Sequence, residues 1–508
     1  MLKMIKATLR IILAGILFFL SVIALLQTQR RGNESLSEIV NGAPIYKEND
    51  NILLHIIAIM LLITLFLLLK YLVKKGTRIS AFLSKYHKLI QVGIAVFVGI
   101  ISFLIFLGGT RTPVDDQIQV YSAALLFNED NYINLSKGGY VMMYPQQLGY
   151  ILYVQLVLKV CGQFGFHILQ VINSLFIVGI VYYASCFIND LTDDVVTRLL
   201  GSSLFLGLLP LELLVTWVYG DIPFYFFLFM FLHYFTLLKK KIRYRVFAII
   251  AAVLCLIFRR HALIFLLAIL LVSIVSFWES RNKQILMVGI LSFILPICAT
   301  TGIEKMYSLK SGYEIDGGIP GIAWITMGTI EGASKPGWFN NYCVPLFYST
   351  DCDRELTQEQ ALEQLKVQIS GFVKDPTYAI SFYKRKICTQ WNAPYFNTEQ
   401  LIEVDDGVSI KGLSGFISNR EDSILVFLSI LQSMVYLGTL IYVLLKSYKG
   451  KFSETLPEMF ILGGFLFSII WEANARYVFS YFLVMIPLAI VGWNSGITLL
   501  KEKFLHDK

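Results

Sequence analysis

The sequence has 508 residues, of which 56% are hydrophobic and 15% are charged, and its formal net charge is +8 at pH 7. A soluble protein carries about 25% charged residues, so this composition excludes a soluble globular protein and indicates an integral membrane protein. The net positive charge fits the Lys and Arg that collect in cytoplasmic loops. No basic patch with interleaved aromatic residues points to a nucleic-acid partner.

About twelve apolar runs predict an all-α polytopic membrane protein, because a spanning helix needs roughly 20 mostly apolar residues. They lie near 8–27, 52–73, 89–108, 165–188, 197–216, 221–238, 245–258, 262–278, 285–304, 423–446, 456–472 and 477–498. Lys and Arg precede the first run, as in a signal peptide, but Gln27-Thr-Gln-Arg-Arg follows it instead of a small-residue cleavage site. We therefore predict an uncleaved spanning helix there.

The distribution of Lys and Arg predicts the orientation of these spans in the cell membrane. The predicted cytoplasmic segments are the N-terminus, 70–88, 239–245, 281–283, 446–451 and 501–503. Counting inward from both ends then places 109–164, Tyr219-Gly-Asp221 and 305–421 on the extracytoplasmic side. The apolar stretch at 144–160 would break this alternation if it crossed the membrane, so we predict an interfacial helix there.

Four regions follow from this count. Residues 1–88 are N-terminal membrane helices, 89–304 a transmembrane core with a first outer loop at 109–164, 305–421 an extracytoplasmic cap segment, and 422–508 C-terminal membrane helices. The cap segment is too long for a structureless connection. We expect an α/β or irregular fold there, with an amphipathic helix at Thr357–Val373. Its Cys343 and Cys352 could form a disulfide in an oxidising compartment.

An acidic pair, Asp115-Asp116, comes directly after the third apolar run. Charges at the mouth of a membrane helix are costly unless they have a function or a partner. In glycosyl transfer, a carboxylate accepts the acceptor's proton as the acceptor attacks the anomeric carbon. A second carboxylate could hold the acceptor, or Asp116 with Asp221 could bind a divalent metal ion. Alternatively, each Asp merely begins a helix.

A basic pair, Arg259-Arg260, interrupts an apolar stretch at a turn predicted to be extracytoplasmic, against the usual distribution of positive charge. The planar guanidinium group suits phosphate oxygens. In the alternative interpretation, the two Arg side chains only reach water or pair with Glu304 or Glu472. Glu472 itself lies four residues before Arg476, which could be a simple helix pair.

Taken in order, these features resemble the GT-C superfamily of polyprenyl-phosphate-dependent glycosyltransferases, in its ArnT and protein O-mannosyltransferase-like branch (glycosyltransferase family 39). The matching positions are Asp115-Asp116 with Tyr121 and Ala123-Ala124, Tyr144-Pro145 to Gly149, Pro210 with Asp221, Arg259 or Arg260, and Glu472 with Arg476-Tyr477 and Pro487. The chain departs from the family in having Asp-Asp where Asp-Glu is usual, Pro-Gln where Pro-Pro is usual, and an extra span at 52–73.

The resemblance implies transfer of a sugar, with inversion, from a polyprenyl phosphate to an envelope glycan, lipid or protein on the extracytoplasmic side. It implies that Asp115 is the general base, that Asp116 positions the acceptor or a metal ion, and that Asp221 assists. The donor phosphate would be held by Arg259, Arg260 and Arg476. The donor or acceptor would be positioned by Tyr121, Tyr144, Glu472 and Tyr477.

Two other functions stay open at this stage. A flippase or transporter for lipid-linked glycans would need ionisable residues deep in several spans or an internal repeat, and the sequence shows few of the former and none of the latter. A surface-polysaccharide polymerase or ligase would use basic residues of the large outer segment. Here those residues are Arg354 and Lys384-Arg-Lys386.

Overall fold

The computed structural model describes residues 2–31, 45–76, 78–109, 112–332, 335–402, 411–446 and 450–506. The described residues form one two-stranded ribbon and twenty-one α-helices. The strands are β1 (Gln27–Arg31) and β2 (Ile45–Asn49). The helices are α1 (Leu2–Leu26), α2 (Ile52–Lys74), α3 (Arg78–Gly108), α4 (Asp116–Asn128), α5 (Tyr140–Met143), α6 (Leu148–Cys161), α7 (Gly165–Leu191), α8 (Val195–Ser203), α9 (Leu209–Leu213), α10 (Asp221–Thr236), α11 (Ile242–Phe258), α12 (Ala262–Ser280), α13 (Lys283–Ser311), α14 (Gly321–Met327), α15 (Cys343–Ser349), α16 (Arg354–Lys374), α17 (Pro376–Trp391), α18 (Gly412–Ser418), α19 (Glu421–Leu445), α20 (Leu456–Ile470) and α21 (Ala475–His506).

The protein is an all-α polytopic membrane protein, as the apolar runs predict. Within the described ranges, nine helices are long and apolar enough to cross a membrane, and a bent pair at Val195–Gly207 and Leu209–Thr216 raises the number to ten. Two further predicted spans correspond to α10 and α11, which have only 16 and 17 residues. At 1.5 Å per residue each is about 25 Å long, slightly less than the hydrocarbon thickness.

Successive helices run in opposite directions, so their ends collect at two faces of the bundle. At one face α10, α12 and α21 begin, and α11 and α20 end; an ion pair joins Asp221 to Arg259 there. We call this face the site end. At the other face α12 ends and α20 begins, and ion pairs join Lys6 to Glu279 and Lys446 to Glu458. We call this face the opposite end.

The helix bundle is held by close crossings of apolar helices. The α19–α21 pair packs along the greatest length, followed by α10–α11, α7–α10 and α12–α13. At the α19–α21 crossing a side chain on Gly492 would lie 1.9 Å from the carbonyl oxygen of Gly438. Only a residue without Cβ fits such a contact, and small residues are how membrane helices approach closely.

The predicted interfacial segment forms α6, which a turn at Gly162 separates from α7. Gly149 of α6 packs against the carbonyl of Ile257, near the end of α11. Further along α6, Gln155 accepts a hydrogen bond from the Tyr307 hydroxyl, near the end of α13. Helix α6 thus packs against the tips of α11 and α13 at the site end; its interfacial position stays a prediction.

The cap segment is described apart from 333–334 and 403–410, and its regular structure is helical. A helix is confirmed at 357–373 as α16, whose first turn is capped by Asp353 through a 2.9 Å bond from the Leu356 amide. Its predicted amphipathic character is not confirmed, since Val367 and Val373 are exposed. Cys343 and Cys352 are both free thiols, so the disulfide considered from the sequence is not formed. Instead of strands, this part of the chain contains isolated bridges such as Trp338 to Ala473.

The ribbon of β1 and β2 was not predicted, because its Gln, Arg, Lys and Glu residues show no apolar alternation. Its strands are antiparallel, with Gln27 opposite Asn49. The ribbon docks on the cap segment through Asn392, which donates to the Gln27 carbonyl at 2.6 Å and accepts from the Gln29 amide at 3.0 Å. The ribbon thereby joins α1 to the cap segment at the site end.

Gly220, directly before Asp221, offers a test of how tightly the site end is packed. A Cβ there would lie 1.9 Å from the Phe258 carbonyl oxygen, which a backbone shift alone can relieve. We expect Gly220→Ala to destabilise the protein by about 1–3 kcal/mol. Gly371→Ala, in open space on α16, is the control and should be neutral or slightly stabilising. Equal thermal unfolding midpoints for the two variants would contradict the described contact.

Candidate active site

A buried ion pair forms the base of the site. Asp221 is the first residue of α10, and Arg259 follows the last residue of α11. Arg259 Nη2 lies 3.0 Å from Asp221 Oδ1, and the indole Nε1 of Trp217 donates to Asp221 Oδ2 at 3.2 Å. Both side chains of the ion pair are less than a tenth exposed. Asp221 is therefore held by side chains of neighbouring segments, which goes beyond a simple helix start.

Aromatic faces hold two guanidinium groups next to this pair. Arg259 Cζ lies 5.0 Å from the ring centre of Tyr219, and Arg476 Cζ lies 4.5 Å from that of Trp217 and 5.7 Å from that of Tyr219. Such contacts stabilise a cation without neutralising it. The Nε of Arg476 is buried and has no hydrogen-bond partner among the described residues. The site thus presents a buried donor suited to an anion.

Asp116 faces these guanidinium groups from α4, where it is the first helical residue. Its surface remains accessible although protein atoms surround it, and we call the accessible space beside its carboxyl the cleft. Burial raises the pKa of this carboxyl above the ordinary 3.8, Arg476 and Arg259 oppose the rise, and the charges of Asp115 and Asp221 add to it. Asp116 is consequently a carboxylate with increased basicity, kept ionised by two nearby cations.

Asp115 differs from its neighbour in backbone conformation. It is exposed and its backbone φ is +49°, a conformation rare for residues other than glycine. Its side chain makes no capping hydrogen bond in the described structure. A helix-capping function therefore does not explain Asp115. Strained residues of this kind cluster at functional sites.

Glu472 lies in the turn between α20 and α21, deep in the same cleft wall. It is 6% exposed, and the hydroxyl of Tyr477 donates to its Oε2 at 3.5 Å. Burial, reinforced by the charge of Asp116, raises the pKa of Glu472 to about 8. The sequence allowed a simple helical pair of Glu472 with Arg476; that interpretation is wrong, because Glu472 precedes the start of α21.

Lys386 of α17 joins the cap segment to this turn. Its ammonium group donates to the carbonyl oxygens of Gly328 at 2.6 Å, Ile469 at 2.8 Å and Trp471 at 2.7 Å. The side chain is fully buried, and burial lowers the pKa of Lys386 to about 7. A lysine has three N–H donors, so these bonds use all of them. Lys386 therefore positions the residues around Glu472 and has no donor left for a ligand.

Removing this lysine should loosen the turn. We expect Lys386→Met to destabilise the protein by about 1–3 kcal/mol, because it leaves buried carbonyl groups without a donor. Thermal unfolding measures the loss, and limited proteolysis should show faster cleavage within the cap segment. Lys384→Met, on an exposed part of the same helix, is the matched control and should behave like the unaltered protein. Identical proteolysis of both variants would contradict the positioning role.

The remaining predicted site residues separate into two groups. Tyr144 belongs to the cleft: its ring lies 4.9 Å from that of Tyr140 and 5.9 Å from that of Trp324, and burial together with Asp116 raises its pKa. Tyr121 packs edge-on against Phe166 at 5.4 Å. Arg260 is exposed and interacts electrostatically with Glu304, as the alternative interpretation of the basic pair allowed. The cluster thus includes Tyr144 but not Tyr121 or Arg260.

Sequence reasoning missed the aromatic support of the site. Trp217 and Tyr219, which the sequence analysis does not single out, are buried beneath the two guanidinium groups. Gln147 was also missed, and its amide donates to the Tyr219 hydroxyl. A usable signal was present, since Trp217-Val-Tyr219 lies immediately before Gly220-Asp221.

A divalent ion bound by Asp116 and Asp221 would have these two protein ligands, and its presence stays a prediction. One of them, Asp221, is already bound by Arg259 and Trp217. In the described ranges, no group of three or more His, Cys, Asp or Glu side chains could hold a metal ion. The residues present do not by themselves fit a metal centre, and no chemical step below is assigned to one.

Comparisons with known proteins give likenesses among solved structures only. No protein-family model matches the sequence, and no curated protein matches it. Among solved structures, the chain is similar to the archaeal oligosaccharyltransferase AglB from Archaeoglobus fulgidus in complex with an inhibitory peptide and a dolichol-phosphate. The identity is 13% and the TM-score 0.41; the match covers 80% of this chain and 50% of that one. A likeness at this TM-score is too low to assign that enzyme's activity here.

Proposed function

We propose that this protein is a membrane glycosyltransferase of the GT-C type that transfers a sugar, with inversion, from a polyprenyl phosphate to a cell-envelope acceptor. One observation carries the proposal: the Asp116 carboxylate faces two guanidinium groups, those of Arg259 and Arg476, across a cleft at one end of a membrane-spanning bundle. This places a base and two cations together. Glycosyl transfer from a lipid phosphate needs both.

The two cations suit the leaving group. As the bond between the anomeric carbon and the phosphate oxygen breaks, its electron pair goes to the phosphate, and negative charge develops there. Arg476 has a buried Nε to which none of the described residues is hydrogen-bonded, and aromatic faces fix its guanidinium in place. Fixed donors aimed at developing charge are an effective form of catalysis. Asp221 acts as a positioning residue, because it fixes Arg259 through their ion pair.

Asp116 is the better candidate for the general base. The acceptor hydroxyl attacks the anomeric carbon from the face opposite the phosphate, and its proton passes to a carboxylate. Both aspartates keep exposed surface, but protein atoms surround the carboxyl of Asp116, its pKa is raised, and it interacts electrostatically with Arg476 and Arg259. We therefore assign the base to Asp116 and acceptor contact to Asp115, which reverses the roles inferred from the family resemblance. Glu472 and Tyr144 both interact electrostatically with Asp116, and we assign them to positioning the donor or the acceptor.

The membrane position of the cleft suits a lipid-linked donor. Asp221, Arg259 and Arg476 lie at the tips of α10, α11 and α21, where a phosphate at the boundary of the hydrocarbon would be found. The Lys and Arg bias toward the opposite end supports an extracytoplasmic active site in the cell membrane. The acceptor class, whether glycan, lipid or protein, stays open.

The polymerase alternative is less well supported. It relied on basic residues of the cap segment as ligand-binding groups. Lys386 is fully engaged with backbone carbonyls, and Arg385 makes a two-pronged contact with Glu331 at 2.6 and 2.9 Å. These cations are used within the protein.

The test uses membranes that contain the full-length protein and a panel of polyprenyl phosphates carrying labelled sugars, with and without envelope extract as acceptor. With the unaltered protein, we expect one donor to lose its label in the presence of extract. With Asp116→Asn, almost all of the label should stay on that donor. In a parallel arm, the same lipids are placed in liposomes and their distribution between leaflets is followed. Movement of an intact sugar lipid across the bilayer without release of label would favour the flippase instead.

The acid limb of the pH profile tests the electrostatics of the cleft. Asp116 acts only when ionised, so kcat/KM should rise with pH through its pKa, above the ordinary 3.8. Arg476 lowers that pKa, so Arg476→Gln should move the limb to higher pH, whereas Arg476→Lys, which keeps the charge, should move it less. Arg260→Gln, outside the cluster, is the control and should leave the limb in place. If the acid limb of Arg476→Gln is at the same pH as that of the unaltered protein, Arg476 does not influence the pKa of Asp116.

A further inference from the structure

A second cavity lies at the opposite end of the bundle. It has a volume of about 580 Å³ and is enclosed by α7, α10, α19, α20, α21 and the 3₁₀ helix Phe452–Thr455. The active-site cleft lies at the first residue of α10, and this cavity at its last turn. Sixteen residues at 1.5 Å each separate the two by about 24 Å, most of the hydrocarbon thickness. The cavity is therefore distinct from the proposed active site.

The cavity combines apolar walls with a cationic rim. The walls are formed by buried side chains, among them Phe187, Leu232, Phe235 and Leu456. The charged side chains that line it are Lys239, Lys446, Lys451, Asp190 and Glu454. An amphipathic anion is the ligand that such a lining fits, because its hydrocarbon part would cover the walls and its charged head would meet the ammonium groups.

The charges at the rim are not equivalent. The carboxylate of Asp190 is bound by His233 at 2.7 Å and by the Thr236 hydroxyl at 2.8 Å. Lys446 is bound to Glu458 at 3.3 Å. Lys239 and Lys451, by contrast, are exposed at the mouth of the cavity. Two more lysines follow Lys239 directly in the sequence, whereas Glu454 is an exposed carboxylate of the lining and Glu279 interacts electrostatically with Lys451, so lysines outnumber carboxylates at the mouth.

We propose that this cavity binds an anionic phospholipid, with its phosphate between Lys239 and Lys451 and an acyl chain against the apolar walls. The mouth lies at the end of the spanning helices, the depth at which lipid phosphates are found. The Lys and Arg bias predicts that this end is cytoplasmic, and anionic lipids attract basic groups at that membrane surface. Leu445, a lining residue that is 40% exposed, gives the cavity an apolar edge toward the bilayer.

The test is native mass spectrometry of the full-length protein in detergent, titrated with dioleoylphosphatidylglycerol, with dioleoylphosphatidylcholine or with glycerol phosphate. We expect the anionic lipid to be retained in preference to the zwitterionic one. Lys239→Gln and Lys451→Gln should each weaken its binding about fivefold. Ser495→Phe, which fills the cavity without changing its charge, should abolish retention of the lipid. The control is the pair Lys310→Gln and Lys384→Gln, exposed lysines at the site end, which should have no effect.

Three results would overturn the proposal. Equal affinity for the two lipids would remove the role of charge, and unchanged binding in the Lys239→Gln/Lys451→Gln variant would place the lipid elsewhere. If glycerol phosphate displaces the lipid completely while Ser495→Phe binds lipid normally, the site takes a soluble phosphate and not a lipid. Thermal unfolding of each variant checks that it is folded. Substitution of the exposed lysines should leave the unfolding midpoint unchanged.

Discussion

Asp116→Asn is expected to lower the rate of sugar release from the lipid donor by about 10²- to 10⁴-fold, the usual contribution of a general base. The substitution keeps the size of the side chain and removes its negative charge, and with it the ability to take up the acceptor's proton. Binding of the donor should persist, because Arg259 and Arg476 remain. The measurement is the release of labelled sugar at saturating donor, with donor binding followed separately.

Two further variants make this result specific. Asp130→Asn changes another aspartate just after α4, where φ is +56°, a conformation that asparagine tolerates well, and it should retain full activity. Asp115→Asn should weaken the acceptor's apparent affinity more than it lowers the maximal rate. If Asp115→Asn loses all activity and Asp116→Asn keeps it, the roles of the two residues must be exchanged. If both variants stay active, the transferase proposal fails.

Arg259→Gln is expected to cost about 3–5 kcal/mol of stability, the usual cost of breaking a buried ion pair from one side. The reason is that Asp221 would stay buried, with the Trp217 indole as its remaining described donor. The substitution also removes one of the two cations proposed to meet the donor phosphate. Thermal unfolding of the purified protein measures the first effect, and binding of polyprenyl phosphate measures the second.

The control for this prediction is the exposed pair of Arg385 and Glu331, with a 2.6 Å contact and side chains 46% and 37% exposed. Arg385→Gln should cost at most about 1 kcal/mol, since water screens such pairs. The double variant Arg259→Gln/Asp221→Asn should recover much of the stability, because no uncompensated carboxylate remains, but it should not recover donor binding. A similar cost for Arg259→Gln and Arg385→Gln would show that the inner pair is not buried in solution.

The sequence predicted the helices well because a helix that crosses the membrane needs a long apolar run. Such runs are visible without any tertiary information. It also predicted which polar residues lie at one face, since alternating spans bring Asp221, Arg259 and Arg476 to the same end. It could not predict their partners. Asp221 contacts Arg259 across 38 positions of sequence, and nothing in either segment specifies that pairing in preference to Glu304 or Glu472.

Residues with two possible environments were the ones misjudged. A Trp or Tyr at a helix end can face lipid head groups or a buried cation, and composition does not distinguish these, as Trp217 and Tyr219 show. Likewise Lys386 follows Lys384 and Arg385 in a basic run, yet it alone is buried. Its three acceptors are backbone carbonyls, which every residue has, so no sequence pattern identifies them.

The hydrogen bonds of Lys386 also impose an order on the assembly of the chain. Two of its acceptors, the carbonyls of Ile469 and Trp471, are synthesised 83 and 85 residues after the lysine itself. Until α20 has been made, only the Gly328 carbonyl is present to accept from the ammonium group. A chain truncated before Ile469 therefore lacks two of the three acceptors of Lys386 as well as Glu472 and Arg476. The cleft is completed only as the last two helices are inserted.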